Sequence, residues 1–156
     1  RGFIVYFQEW KVLKISIAKQ TIELAGKTYR VSTAKAGAST VEDSGGTPTG
    51  KFTIADKIGQ GEPVGTIFDS RLPVGLWDGT ESSEDLILTR IMTLDGCEPA
   101  NENTLQRYIY IHGTNQESML GTPASCGCIR MSNADIIELF ELVEIGETVL
   151  IKEDDE

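Results

Sequence analysis

The sequence is short of histidine, cysteine and positive charge. It holds one histidine, His112, and three cysteines, Cys97, Cys126 and Cys128, in 156 residues. A small, odd cysteine count leaves at least one thiol unpaired within a monomer and excludes a disulfide-stapled scaffold. No apolar run approaches the ~20 residues that a bilayer-crossing helix needs. Phe3-Ile4-Val5-Tyr6-Phe7 is too short for a span or a signal core. The chain opens at Arg1 without a Met. A processed or shortened chain accounts for that, so the want of a signal peptide does not argue against export. Fourteen Lys and Arg stand against twenty-four Asp and Glu, a formal charge of −10. Such a chain repels nucleic acid and anionic lipid at long range and is more at ease with a cationic or zwitterionic partner. Part of the excess falls in residues 152–156, whose Glu153-Asp154-Asp155-Glu156 run reads as a solvated tail.

What is present points to a single β-rich domain over 1–156. Apolar residues make up 40% of the chain, enough for a core, and 16 glycines punctuate short apolar runs. Leu13, Ile15 and Ile17 alternate with polar neighbours, as do Ile22 and Leu24, and then Tyr29, Val31 and Thr33. That period of two predicts a β-meander with a turn at Gly26-Lys27. Residues 36–50 read as a loop ending in the turn Thr47-Pro48-Thr49-Gly50, and Lys51–Ala55 as a short strand. Residues 59–85, with Gly at 59, 61, 65, 75 and 79, read as a long irregular loop of the functional kind. Asp85–Leu94 and Arg107–Ile111 read as strands. One helix is predicted, capped by Ser132 with Asp135 three residues on, burying Ile136, Ile137, Leu139, Phe140 and Val143 and stopped by Gly146. Thr148–Ile151 returns as a strand. The expected architecture is mainly β, an antiparallel sandwich or barrel, with one main helix near the C-terminus.

His112 ends the run Tyr108-Ile109-Tyr110-Ile111-His112. Strand alternation puts Tyr108, Tyr110 and His112 on one face, away from Ile109 and Ile111, where a loop is expected to open. A surface or capping histidine fits this context as well as a functional one. Cys128 lies sixteen residues later, in the run Ser125-Cys126-Gly127-Cys128-Ile129-Arg130-Met131. A thiol near a helix N-terminus and an imidazole is activated toward thiolate, and a Cys–His dyad attacks carbonyls. Backbone N–H groups around Gly127 and Cys128 would face the oxyanion, with Gly127 giving close approach. Three alternatives stand beside this. Cys126 and Cys128 are buried structural thiols, or they form a strained Cys-x-Cys bridge, or Cys97, Cys126, Cys128 and His112 hold zinc at a poor spacing.

These residues resemble the L,D-transpeptidase (YkuD-type) signature, His-Gly, a spacer, then Ser-His-Gly-Cys, an aliphatic residue, often Arg, and Leu or Met. Here it reads His112-Gly113 and Ser125-Cys126-Gly127-Cys128-Ile129-Arg130-Met131. Ser32–Gly37, the Thr47-Pro48-Thr49-Gly50 turn and Arg107–Thr114 resemble the family's upstream segments. The resemblance implies Cys128 as nucleophile, His112 as base and the Gly113 carbonyl as orienter of the ring. It implies an oxyanion and substrate wall from Ser125, Gly127 and Cys128, with Tyr110 and Cys126 beside it. Arg130 would bind a substrate carboxylate or shape the oxyanion site, unless it is an ordinary salt-bridge partner. The departure is Cys126, where the family has histidine. The implied reaction cleaves terminal D-Ala from the L-centre of a diamino acid in a peptidoglycan stem peptide through a thioester. An amine then accepts the acyl group: a second stem peptide, a D-amino acid or a protein lysine. Water as acceptor would make an L,D-carboxypeptidase, and Cys126 also admits an inactive peptidoglycan-binding relative. No metal or organic cofactor is implied, and the expected place is the periplasm or cell envelope.

Overall fold

The computed structural model describes residues 11–154. The Phe3–Phe7 run and Asp155-Glu156 lie outside them. Ten strands form one sheet: β1 Leu13–Ser16, β2 Thr21–Leu24, β3 Lys27–Ser32, β4 Gly50–Ile58, β5 Thr66–Asp69, β6 Leu72–Leu76, β7 Ile87–Gly96, β8 Tyr110–Gly113, β9 Ile129–Met131 and β10 Thr148–Lys152. The order β4-β10-β1-β2-β3-β9-β8-β7 closes on itself because β4 also pairs with β7. The result is a barrel, with the β5–β6 hairpin attached to β7. Most pairings are antiparallel, but β1–β10 and β8–β9 are parallel.

The period of two gives β1, β2 and β3 their buried Leu13, Ile15, Ile22, Leu24, Tyr29 and Val31. The β2–β3 turn is Ala25-Gly26, one residue earlier than expected, with φ of 52° and 82°. Positive φ at both central residues suits a right-twisted hairpin. The helix α1, Asn133–Leu142, starts as the sequence predicts, with Ser132 Oγ accepting from Asp135 N at 3.0 Å. It stops at Leu142, four residues before Gly146. It packs Ile136, Leu139 and Phe140 into the main core, with Ile111, Ile129 and Met131 of the barrel. Ile137 is only half-buried.

Several expected boundaries move. β4 runs to Ile58, and residues 59–85 contain the β5–β6 hairpin rather than a continuous loop. The histidine strand begins at Tyr110, so Tyr108 lies outside it, exposed and at φ 58°. Lys152 belongs to β10, and Glu153 O accepts from Ala18 N at 3.1 Å. The solvated tail therefore begins later than expected. Among the described residues no helix is long and apolar enough to cross a membrane.

Candidate active site

Register builds the site. β8 and β9 run parallel with Ile111 opposite Ile129 and His112 opposite Arg130. Alternation then divides the pair of strands into two faces. Ile111, Ile129 and Met131 point into the main core. Tyr110, His112, Cys128 and Arg130 share the other face.

That face is covered, contrary to the expectation of an open strand end. His112 is 1% exposed. Beside it, β7 carries a bulge: its register with β8 jumps from Leu88–Gly113 to Ile91–His112. Thr89 in the bulge sits at φ 77°, an unusual conformation for a β-branched residue. Its hydroxyl bonds Asn133 and accepts from Gly65 N. Bulges of this kind recur beside active sites, where they re-aim side chains.

The His112 ring is fixed by one contact, Nδ1 to Gly113 O at 2.7 Å. A carbonyl oxygen can only accept, so Nδ1 carries the proton and Nε2 holds the free lone pair. Burial lowers the proton affinity of His112, and the Arg130 charge adds to this. The Gly113 carbonyl and Asp85 pull the other way.

Cys128 is half-buried against Phe68, Ile91 and Tyr110. Its sulfur accepts from Tyr110 N at 3.3 Å and donates to Tyr108 O at 3.4 Å. Among the described residues no hydrogen bond joins it to the His112 ring. Burial pushes the thiol up to about 12, against the opposing pull of the Tyr110 N–H. Between Cys128 and α1 the chain forms β9 and the Ser132 cap. Burial thus favours the uncharged form of each group, thiol and imidazole.

The turn before the thiol is braced from inside. Ser125 is buried, donates to Cys128 O at 2.6 Å and accepts from Gly127 N at 3.2 Å. Thr47 Oγ1 reaches across 80 residues to donate to Gly127 O at 2.9 Å. Gly127 sits at φ 134°, and a Cβ there would lie 3.1 Å from Ile109 Cδ1 and 3.3 Å from Gly46 O. Its glycine is required by backbone packing within the protein. Cys126 is exposed at a cleft of about 370 Å³ shared with Glu42, Asp43, Arg107, Tyr108 and Ile109.

Arg130 is 1% exposed. It donates to Gln116 Oε1 at 2.7 Å, Asp85 Oδ1 at 3.1 Å and Ser32 Oγ at 3.2 Å, while its Nε has no partner. Asp85 and Gln116 were not singled out in the sequence. Their positions inside ordinary polar stretches carry no periodic signal. Cys97 is exposed, and its thiol points to Asp95 O at 4.0 Å. Among the described residues no group of three or more His, Cys, Asp or Glu is arranged to hold a metal.

Residues 11–151 match the family model described as YkuD, L,D-transpeptidase catalytic domain. The Bacillus subtilis protein YkuD, named as an L,D-transpeptidase, is 40% identical over 73 residues, 46% of this chain and 44% of that one. Its relative YqjB, similarly named, is 48% identical over 44 residues, 28% of this chain and 25% of that one. An L,D-transpeptidase from Mycobacterium smegmatis superposes with a TM-score of 0.58 at 16% identity, over 90% of this chain and 58% of that chain. L,D-transpeptidase 3 from Mycobacterium tuberculosis, in complex with a faropenem-derived adduct, gives 0.58 at 20% identity, over 91% of this chain and 60% of that chain. At these identities the solved structures speak for the fold. The matched segments span less than half of the curated relatives, and the chain covers less than two thirds of these solved ones. With residues 11–151 of its 156 matched by that family model, the chain belongs to the YkuD-type L,D-transpeptidase catalytic-domain family.

Proposed function

We propose that this chain is the catalytic domain of a peptidoglycan L,D-transpeptidase that works through a thioester on Cys128. The observation that carries the reading is the shared face of β8 and β9. It holds a half-buried thiol and the only histidine, with the ring tautomer fixed so that Nε2 can take a proton.

Both groups rest neutral, so the proton moves as the sulfur attacks rather than beforehand. The thiol turns from Tyr108 O toward Nε2, a rearrangement expected when substrate displaces the resting contact. The sulfur then attacks the carbonyl joining the L-centre of the diamino acid to terminal D-Ala, giving its proton to Nε2 as the S–C bond forms. The C–N bond breaks, the imidazolium returns the proton to the departing D-Ala amine, and the acyl group stays on sulfur. The Gly127 N–H is already held by Ser125, which leaves the Cys128 N–H as the oxyanion donor in this reading. An amine from a second stem peptide, a D-amino acid or a protein lysine resolves the thioester. The acidic surface suits such ammonium-bearing partners. The substrate lies outside the cytoplasmic membrane, so the domain is proposed to work in the periplasm or cell envelope.

The test is incubation with a disaccharide-tetrapeptide, followed by mass analysis of products and protein. A cross-linked dimer with an acyl adduct on Cys128 is expected. A tripeptide product without cross-links would make the enzyme an L,D-carboxypeptidase. With neither product nor adduct, the catalytic reading fails. Imipenem, found in complex with a relative of this fold, provides a second acylation probe for Cys128.

A further inference from the structure

Beyond the Cys128–His112 pair, the buried face holds a charge that the reaction does not consume. Arg130 is opposite His112 in the β8–β9 register and is 1% exposed. A buried guanidinium needs a counter-charge, and beside an imidazole it opposes imidazolium. Among the described residues Asp85 is its one ion-pair partner, and the Asp85 side chain is 41% exposed. Asp85 does not come from the barrel. It sits on the covering segment of residues 77–86, just before β7.

That segment is fastened by the strand-end loop following His112. Asn115 Oδ1 accepts from Leu86 N at 3.0 Å, and its Nδ2 donates to Glu84 O at 2.9 Å. Gln116, which bonds Arg130 through Oε1, donates through Nε2 to Ser82 O at 2.8 Å. Ser118 Oγ donates to Glu81 at 2.7 Å. One loop therefore holds both the covering segment and the guanidinium that the segment neutralises.

We propose that Asp85 is a positioning residue for this reaction, a carboxylate delivered by the covering segment to balance Arg130 so that His112 can hold a proton. The proposal rests on the Cys128–His112 reading above. The charged groups facing His112 are Arg130 from β9 and Asp85 from the covering segment. Arg90 of β7 is directed instead to Glu62 O and the Phe140 ring. With Asp85 in place, the imidazolium formed from the Cys128 proton lasts long enough to protonate the departing D-Ala amine. Without it, the uncompensated Arg130 disfavours imidazolium while favouring thiolate at Cys128.

The two effects have opposite signs, which separates this role from a structural one. In Asp85→Asn, cleavage of tetrapeptide should fall about tenfold, within the range for impaired acid–base catalysis. Alkylation of Cys128 by iodoacetamide, which needs thiolate and no leaving-group proton, should be unchanged or faster. The acidic limb of the cleavage profile should move to lower pH. Because His112 is the only histidine, its ring resonances can be titrated by NMR without assignment, and their midpoint should move the same way. An unmoved His112 midpoint, or cleavage and alkylation falling together, overturns the proposal. If the parent protein cleaves no tetrapeptide at all, the transpeptidase reading fails. The His112 titration in parent and Asp85→Asn then still decides whether Asp85 sets the charge at that ring.

Discussion

The two faces of β8 and β9 are built from the same two short strands and obey different rules. On one face Ile111, Ile129 and Met131 are fully buried among apolar neighbours. On the other, His112 and Arg130 are about equally buried, and their polar atoms make specific hydrogen bonds. Apolar packing there is local to Cys128, which leans on Phe68, Ile91 and Tyr110. The first face is stabilised by contact area and tolerates any well-shaped hydrophobe. The second depends on tautomer, charge and reach, and an error there is paid in rate rather than in folding. Burial alone does not separate core from site; what separates them is whether buried atoms are apolar or hydrogen-bonded and charged.

The largest expected effect comes from breaking the polar face at its sulfur. Cys128→Ala or Cys128→Ser should abolish turnover on a disaccharide-tetrapeptide, with the circular dichroism spectrum retained. His112→Ala should cost at least ~10² in rate, the usual size for a lost general base. Full activity in Cys128→Ala together with its loss in Cys126→Ala would assign the nucleophile to the other thiol.

The apolar face should respond the other way round. Ile129→Ala deletes fully buried atoms between barrel and helix. A loss of about 2–5 kcal/mol in chemical denaturation is expected. Residual activity at low temperature, where the mutant stays folded, should remain within a few-fold of the parent.

The comparison also explains what the sequence disclosed. The core face was legible, because Leu13, Ile15, Ile22, Leu24 and Val31 alternate and the Ser132 cap announces its helix. The His112 and Cys128 motifs were legible by type and spacing. The β5–β6 hairpin was not. Its turn is Ser70-Arg71, both at positive φ without glycine, and β6 reads Leu-Pro-Val-Gly-Leu, with two apparent breakers. All five β6 residues are exposed, so no burial alternation marks the strand. Residues 97–103 tie into β4 through Asn101, which donates to Thr49 O and Lys51 O. Asp85 and Thr47 act across 45 and 80 residues of chain, a distance at which local pattern has nothing to say.

A smaller effect sharpens the contrast through pH. The folded Cys128 thiol stands at about 12 against a reference of 9.0. Below the unfolded value both states keep the proton, and the contribution is fully present. As pH rises from 9 toward 12, the unfolded thiol ionises while the folded one resists, so stability is lost. His112 is lowered by burial. Its unfolded form therefore binds a proton first as pH falls below the ordinary imidazole value, and stability is lost on the acid side too. Cys128→Ala should flatten the alkaline decline relative to the parent, measured as denaturation midpoint against pH, and leave the acid side unchanged. Equal alkaline slopes would show that the sulfur is not shielded by its neighbours.

The smallest effect concerns the thiol that belongs to neither face. Cys126 is exposed two residues before the nucleophile, at the cleft with Glu42 and Asp43, where the family carries histidine. Its negative charge, when formed, opposes thiolate at Cys128. Two roles then make different predictions. If Cys126 traps a sulfenic acid formed on Cys128, loss of water gives a Cys126–Cys128 disulfide whose small ring is strained and easily reduced. Mild peroxide followed by a thiol reductant should then restore full activity in the parent and leave Cys126→Ala permanently impaired. If Cys126 only occupies the space, recovery should be equal in both. Cys126→His separates the roles from a second side: it removes the opposing thiol and offers a neutral or cationic ring near the sulfur. Activity without oxidant should then rise by a few-fold, since exposed charges act weakly through solvent. A fall in activity would show that the cleft is shaped around the smaller residue and that the departure from the family pattern is part of how this domain works.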